Sequence, residues 1–202
     1  MTDATDATDV ADGPINGFAM SAEVGKRGID QADIPVRGVR YDATISTEAV
    51  EGKAQLKRGV SGNFEVFCDE PPQVGGQGRY PTPMDYMAMA TGFCLLTQIE
   101  RYAFMMKITV SDIRVDVTFR KTLGGSLRQG TVFNEWQGVD THLTFDSDAS
   151  AEDLEHLIRN AKGGCFAEGL IVQPVPLTST VEVNGASFDV AGVTSSTAGV
   201  TG

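Results

Sequence analysis

The sequence is poor in the residue types that most often carry chemistry, with two histidines, one tryptophan and three cysteines in 202 residues. The three cysteines, Cys68, Cys94 and Cys165, form no Cys-x-x-Cys pair, which excludes the usual structural zinc sites. Their odd number does not fit a secreted disulfide framework either. No stretch approaches the ~20 apolar residues that a membrane-crossing helix needs. No basic segment followed by an apolar run marks a secretory leader, so the expectation is a cytoplasmic protein with reduced thiols. Positive charge is scarce as well: Lys+Arg 16 against Asp+Glu 27 leaves a net charge of -11. Such a balance repels a phosphate backbone, so neither nucleic acid nor an anionic membrane is expected as a partner. His-Glu-x-x-His, Gly-x-Ser-x-Gly and Gly-x-Gly-x-x-Gly are all missing, so the sequence offers no metal, nucleotide or flavin site. His142 falls in an expected strand and His156 on the polar side of an expected helix, neither a setting for a triad base.

What is present is enough apolar residue, 41%, to fill one core in one domain. Residues 1–14 repeat a Thr-Asp-Ala unit and read as a disordered acidic tail, and residues 187–202, small and nearly uncharged, as a flexible one. Residues 15–40 form an extension whose apolar residues are broken by glycine and proline, with no element assigned. The domain proper is expected over residues 41–186.

Within it, short runs of period two at Tyr41–Thr47, Lys53–Lys57 and Phe64–Cys68 predict an antiparallel meander. The Pro/Gly-rich run Glu70–Pro83 is neither helix nor central strand. From Pro83 to Met106 the only breaker is Gly92, and no charge occurs between Asp85 and Glu100. Thr82 suits the cap, Pro83 the first turn and Asp85 the helix dipole. A helix apolar around most of its circumference is expected to be buried on most sides, as the central helix of the fold. Two longer strands, Lys107–Arg120 and Gly138–Asp146, follow by alternation. Ser150 to Asp153 begins a capping box for an amphipathic helix that ends near Gly163-Gly164. A short helix over Cys165–Leu170 and a strand over Leu177–Val183 complete the order. Grouped rather than alternating strands and helices argue an α+β fold.

The run Asp69-Glu-Pro-Pro-Gln-Val-Gly-Gly76, followed by Pro81-Thr-Pro-Met-Asp-Tyr-Met-Ala-Met-Ala-Thr-Gly-Phe-Cys94, resembles the loop and cysteine-bearing helix of OsmC/Ohr proteins. Ser147–Leu154, Cys165 and Pro174–Val183 resemble the C-terminal half of that family, so the similarity runs from about Tyr41 to Gly185. The resemblance implies an OsmC-like fold: antiparallel sheets wrapped around long central helices in an intertwined homodimer. It further implies reduction of organic hydroperoxides by a reactive and a resolving cysteine, at Cys94 and Cys165. An external dithiol would recharge the pair, with no bound cofactor. The family's activating Arg and Glu fall here at Val50 and Met84. Lys53, Arg58, Arg40 and Arg79 are the nearby cations, and Asp85 is the candidate acid.

Peroxide reduction needs a thiolate that becomes a sulfenic acid and a second thiol that condenses with it. Cys94 and Cys165 suit those parts, whereas Cys68, in a strand, has no counterpart in the motif. Two alternatives stand beside this reading. Cys94 acts on a different electrophile, or the chain is a non-catalytic dimeric module holding an apolar ligand beside Met84, Met87, Met89, Met105 and Met106. Trp136 lines an apolar pocket or anchors its strand.

Overall fold

The computed structural model describes Arg40 and residues 42–190, so the acidic tail, nearly all of the extension and most of the C-terminal tail lie outside the described residues. Strands β1 (Ser46–Ala49), β2 (Lys57–Ser61) and β3 (Phe64–Cys68) form an antiparallel meander in chain order. The meander is the expected one, but its first two strands lie further along the chain than their period-two runs predict. Residues 50–56 instead make a turn in which Val50 N–H donates to the Leu56 carbonyl at 2.9 Å. Gly52 and Gln55 in that turn have left-handed backbones at φ 69 and 61. Gly59, beyond the Lys53–Lys57 run, lies inside β2. A Cβ there would come within 3.3 Å of the Val66 side chain, so the absence of one lets the strands pair closely. Arg58 binds Glu48 at 2.8 Å and Glu65 at 2.6 Å across all three strands, which locks their register.

Beyond β3, Asp69 is 1% exposed and its carboxylate gathers the loop around itself. It accepts the N–H groups of Glu70 at 2.8 Å, Gln77 at 3.2 Å and Arg79 at 3.1 Å. Those bonds, led by the one from Arg79, hold its carboxyl below the ordinary aspartate value. Gly76 can only be glycine, because a Cβ would lie 1.8 Å from the Glu70 carbonyl oxygen. The conformation of the Pro/Gly loop is therefore set by a buried acid and a close backbone approach, and it hands the chain to the next helix.

Helix α1 (Pro83–Met106) has the bounds its caps predict. Thr82 Oγ1 accepts from Asp85 N–H, the Asp85 carboxylate accepts from Thr82 N–H, and Pro83 occupies the first turn. Tyr86 ties this turn to β3 by donating to the Phe67 carbonyl at 2.5 Å. Strands β4 (Ser111–Gly124) and β5 (Phe133–Asp146) form a separate antiparallel ribbon. Lys107 adopts a left-handed conformation that closes α1, so β4 starts four residues later than the alternation predicts. β5 starts five residues earlier, at Phe133, because a bulge opposite Arg120 and Lys121 carries pairing past Gly138. Trp136 thereby sits within the strand, edge-on to Phe119 at 5.5 Å.

Helices α2 (Ala151–Gly164) and α3 (Phe166–Val172) follow, with Ser150 capping α2 as predicted. The expected last strand is reduced to β6 (Glu182–Val183) and β7 (Ala186–Ser187), a two-residue hairpin turning on Asn184 and Gly185, both with positive φ. Among the described residues, 177–181 join no strand, although the Val181 carbonyl accepts from Phe188 N–H at 2.8 Å. The core joins Leu95, Ile99 and Ala103 of α1 to Ile108, Val110, Leu157, Ala161 and Cys165. Gly92 is buried where α1 faces the ribbon, beside Val115 and Val117 of β4. In the single chain α1 is not buried on most sides: Met87, Met89, Phe93 and Phe104 are all exposed.

Candidate active site

Cys94 lies in the middle of α1, on the helix face that packs against the core, and is half-buried. Cys165 is brought to it by α2, whose amphipathic stripe seats Leu157 and Ala161 on α1 and so delivers the helix end to the same place. Seventy-one positions apart in sequence, the two cysteines meet in one packed cluster, Cys94 against its rim and Cys165 buried within it, and both are free thiols. Burial pushes the Cys165 thiol up to about 11. The backbone amide of Glu168 works in the opposite direction, while Cys94 and the Glu168 carboxylate add to the rise.

That environment makes a titration prediction. Alkylation by iodoacetamide requires the thiolate. Its rate at Cys165, resolved by peptide mass, is expected to keep climbing about tenfold per pH unit from pH 8 toward 11. A plateau reached by pH 9 contradicts the assignment. The linkage has a definite sign: the folded value is raised, so the protonated thiol's contribution to stability is complete below the ordinary cysteine value. It is lost as pH rises through about 11.

Asp85, the candidate acid, is exposed and engaged in the cap of α1. Its bonds to Thr82 hold its carboxyl below the ordinary value. Nine residues before Cys94, it stands ~13 Å down the helix axis and about half a turn round, so its own chain does not bring the two together. Val50 and Met84 are half-buried and carry no charge to substitute for the family pair. Of the nearby cations, Arg58 is held by its two glutamates and Arg40 by Asp42 at 2.9 Å. Cys68 is half-buried in β3, its thiol raised chiefly by burial. His142 and His156 are exposed. Among the described residues no group of three potential metal ligands occurs, and no helix is long and apolar enough to cross a membrane.

Three neighbours escape a sequence reading. Glu168 is three residues after Cys165 and bonds Lys162, three residues before it, at 2.8 Å. The same oxygen accepts from Thr141 of β5 at 2.9 Å. The symmetric spacing about Cys165 was a legible signal; the role of Thr141 was not, because it depends on where β5 passes. Gln98, one turn beyond Cys94, is 5% exposed, and its Oε1 has no hydrogen-bond partner among the described residues. One helix face over from Cys94, a mostly apolar groove of about 240 Å³ lies between α1 and β4, lined by Met89, Phe93, Leu96, Val115 and Val117, with Asp116 at its wall.

A family model described as OsmC-like protein matches residues 76–180, just over half of the chain and inclusive of both cysteines. No curated protein matches the chain by sequence. Among solved structures it is similar to an OsmC-like protein from Mycoplasma pneumoniae, with 15% identity and a TM-score of 0.54, covering 66% of this chain and 89% of that one. An OsmC-like hydroperoxide resistance protein from Jannaschia sp. CCS1 is similar at 21% identity and a TM-score of 0.50, covering 67% and 87%. An OsmC-like protein of unknown function from Vibrio cholerae is similar at 11% identity and a TM-score of 0.51, covering 66% and 96%. At these identities the structural likeness is one of fold, and it agrees with the α+β arrangement of antiparallel sheets and central helix described above.

Proposed function

The chain belongs to the OsmC-like protein family, and from that premise we propose that it reduces organic hydroperoxides with Cys94 as the reactive thiol and Cys165 as the resolving one. The observation that carries this reading is the packing of Cys94 against the cluster that buries Cys165 at the meeting of α1 and α2, with both thiols free. The hydroperoxide resistance protein of Jannaschia supports the substrate class, and the mostly apolar groove on the neighbouring face of α1 favours an organic rather than a fully polar peroxide.

In the first step the Cys94 thiolate attacks the peroxide O–O bond. An S–O bond forms, the O–O bond breaks, and the alkoxide leaves as alcohol after taking a proton. The sulfenic acid then condenses with Cys165, and an external dithiol returns the disulfide to two thiols. Peroxide consumption by the reduced chain with cumene hydroperoxide and a dithiol tests the reading. An inactive wild type overturns it, and adducts on Cys94 with carbon electrophiles would then assign the thiol to the alternative chemistry.

The working unit in this reading is a homodimer. Phe93 is 63% exposed and lies on the central helix together with exposed Met89 and Phe104, and the ribbon adds exposed Phe133. A patch of this kind marks an interaction surface, and a second copy supplies its cover as well as further groups for the cysteine site. Sedimentation equilibrium is expected to give twice the chain mass. Phe93→Glu is expected to shift it toward the monomer, and a wild type that sediments as a monomer at micromolar concentration sinks the assignment.

A further inference from the structure

Cys165 occupies a one-residue joint: it ends α2 and begins α3 with an extended backbone, φ -77 and ψ 101. A joint this short leaves the direction of the seven-residue helix beyond it open unless both sides are tied. Lys162 on α2 and Glu168 on α3 close an ion pair across it at 2.8 Å. The carboxylate oxygen that receives Lys162 also accepts the Thr141 hydroxyl at 2.9 Å, and Lys162 Nζ stands 3.4 Å from the same hydroxyl. α2, α3 and β5 thus meet at one carboxylate. The Glu168 side chain is only 16% exposed, so the pair is less screened than an open surface ion pair. Glu168 also stands close enough to Cys165 for its backbone amide and its carboxylate to act on that thiol in opposite directions.

We propose that Lys162, Glu168 and Thr141 form a clasp that positions Cys165 for disulfide closure onto Cys94. The inference rests on the two-cysteine reading above and adds to it residues that govern the second step alone. In that step the S–O bond of the Cys94 sulfenic acid breaks and an S–S bond forms. The Cys165 proton leaves with the hydroxyl as water, and the hydroperoxide is the oxidant for the pair. Attack requires the Cys165 sulfur to lie in line with the breaking S–O bond, and a misplacement of ~1 Å costs up to ~10²-fold. Glu168 and Lys162 are positioning residues: they act by holding the sulfur in place and take no part in the exchange of bonds.

The experiment mixes reduced full-length protein with one equivalent of cumene hydroperoxide and follows two events separately by mass, oxygen gain on Cys94 and loss of both thiols as disulfide. Glu168→Ala is expected to leave the first event at the wild-type rate and slow the second by about tenfold or more. Lys162→Met is expected to act in the same direction, and the swap Lys162→Glu with Glu168→Lys to recover most of the closure rate. Glu168→Gln keeps an acceptor for Thr141 and removes only the charge, so it carries the comparison if the alanine variant fails to fold. Closure at the wild-type rate in both Glu168 variants overturns the clasp while leaving the Cys94 reading intact. Slowing of both events together with a lowered unfolding midpoint assigns these residues to general stability and also overturns it. A wild type that takes no oxygen onto Cys94 overturns the two-cysteine reading itself, and the clasp falls with it.

Discussion

Cys94→Ser is expected to lower hydroperoxide consumption by at least about 10³-fold, because a serine hydroxyl is not ionised near neutral pH and is a far weaker nucleophile than a thiolate. The residue sits within a packed helix, half-buried, and serine is close to it in size, so the unfolding midpoint should barely move. Cys165→Ser should behave differently. Cys94 still consumes about one equivalent of peroxide and gains one oxygen atom, but with its neighbour unable to close the disulfide, dithiol-supported turnover falls and over-oxidation follows. The two variants thus separate the first step from the second. Full peroxide consumption by Cys94→Ser would remove this residue from the reaction. One-equivalent consumption by wild type and Cys165→Ser alike would remove Cys165 from turnover.

The largest effect on stability is expected at the contact that brings the cysteines together. Leu157 is fully buried, and it packs α2 on α1 beside Leu95 and Ile99. Leu157→Ala removes buried methyl groups and leaves a cavity that packed neighbours close only in part, at a cost of about 2–5 kcal/mol. For a chain of this length that lowers the unfolding midpoint by roughly 5–15 °C. Leu123, 76% exposed near the end of the ribbon, is the control, and Leu123→Ala should stay within about 0.5 kcal/mol. Because Leu157 anchors the helix that ends at Cys165, its truncation should also loosen the approach of the two sulfurs. Equal midpoints for the two variants would show that α2 does not carry the core.

Residues 83–106 illustrate why one part of this protein can be read directly from its chain. The start of α1 is set by Thr82, Pro83 and Asp85 acting on N–H groups within three residues, and its interior by a long run without breakers. α2 is legible for the same reason, through Ser150 and the stripe of Leu154, Leu157 and Ile158. The meander is legible in kind but misplaced in register. A glycine within a strand looks like a glycine that ends one until the neighbouring strand shows what a Cβ would strike, as Val66 does at Gly59. The same limit applies at β5, where the bulge opposite Arg120 and Lys121, invisible to alternation, extends pairing past Gly138.

The candidate site divides along the same line. Cys94 stands out on its own helix, and the resemblance carried by the Asp69–Gly76 loop and the residues leading to Cys94 pairs it with Cys165. The packing of the two cysteines in one cluster, the burial that keeps Cys165 protonated, and the meeting of Lys162, Glu168 and Thr141 all depend on elements far apart in sequence. So does the loop cage around Asp69, whose donors lie up to ten residues away. Sequence by itself determined the helices, their caps and the α+β class, since those follow from interactions over three or four residues and from which residues avoid water, and the resemblance it carries pointed to Cys94. Only the tertiary structure decided which groups surround that cysteine, because packing sets those distances, and packing depends on the shape of every element that meets there.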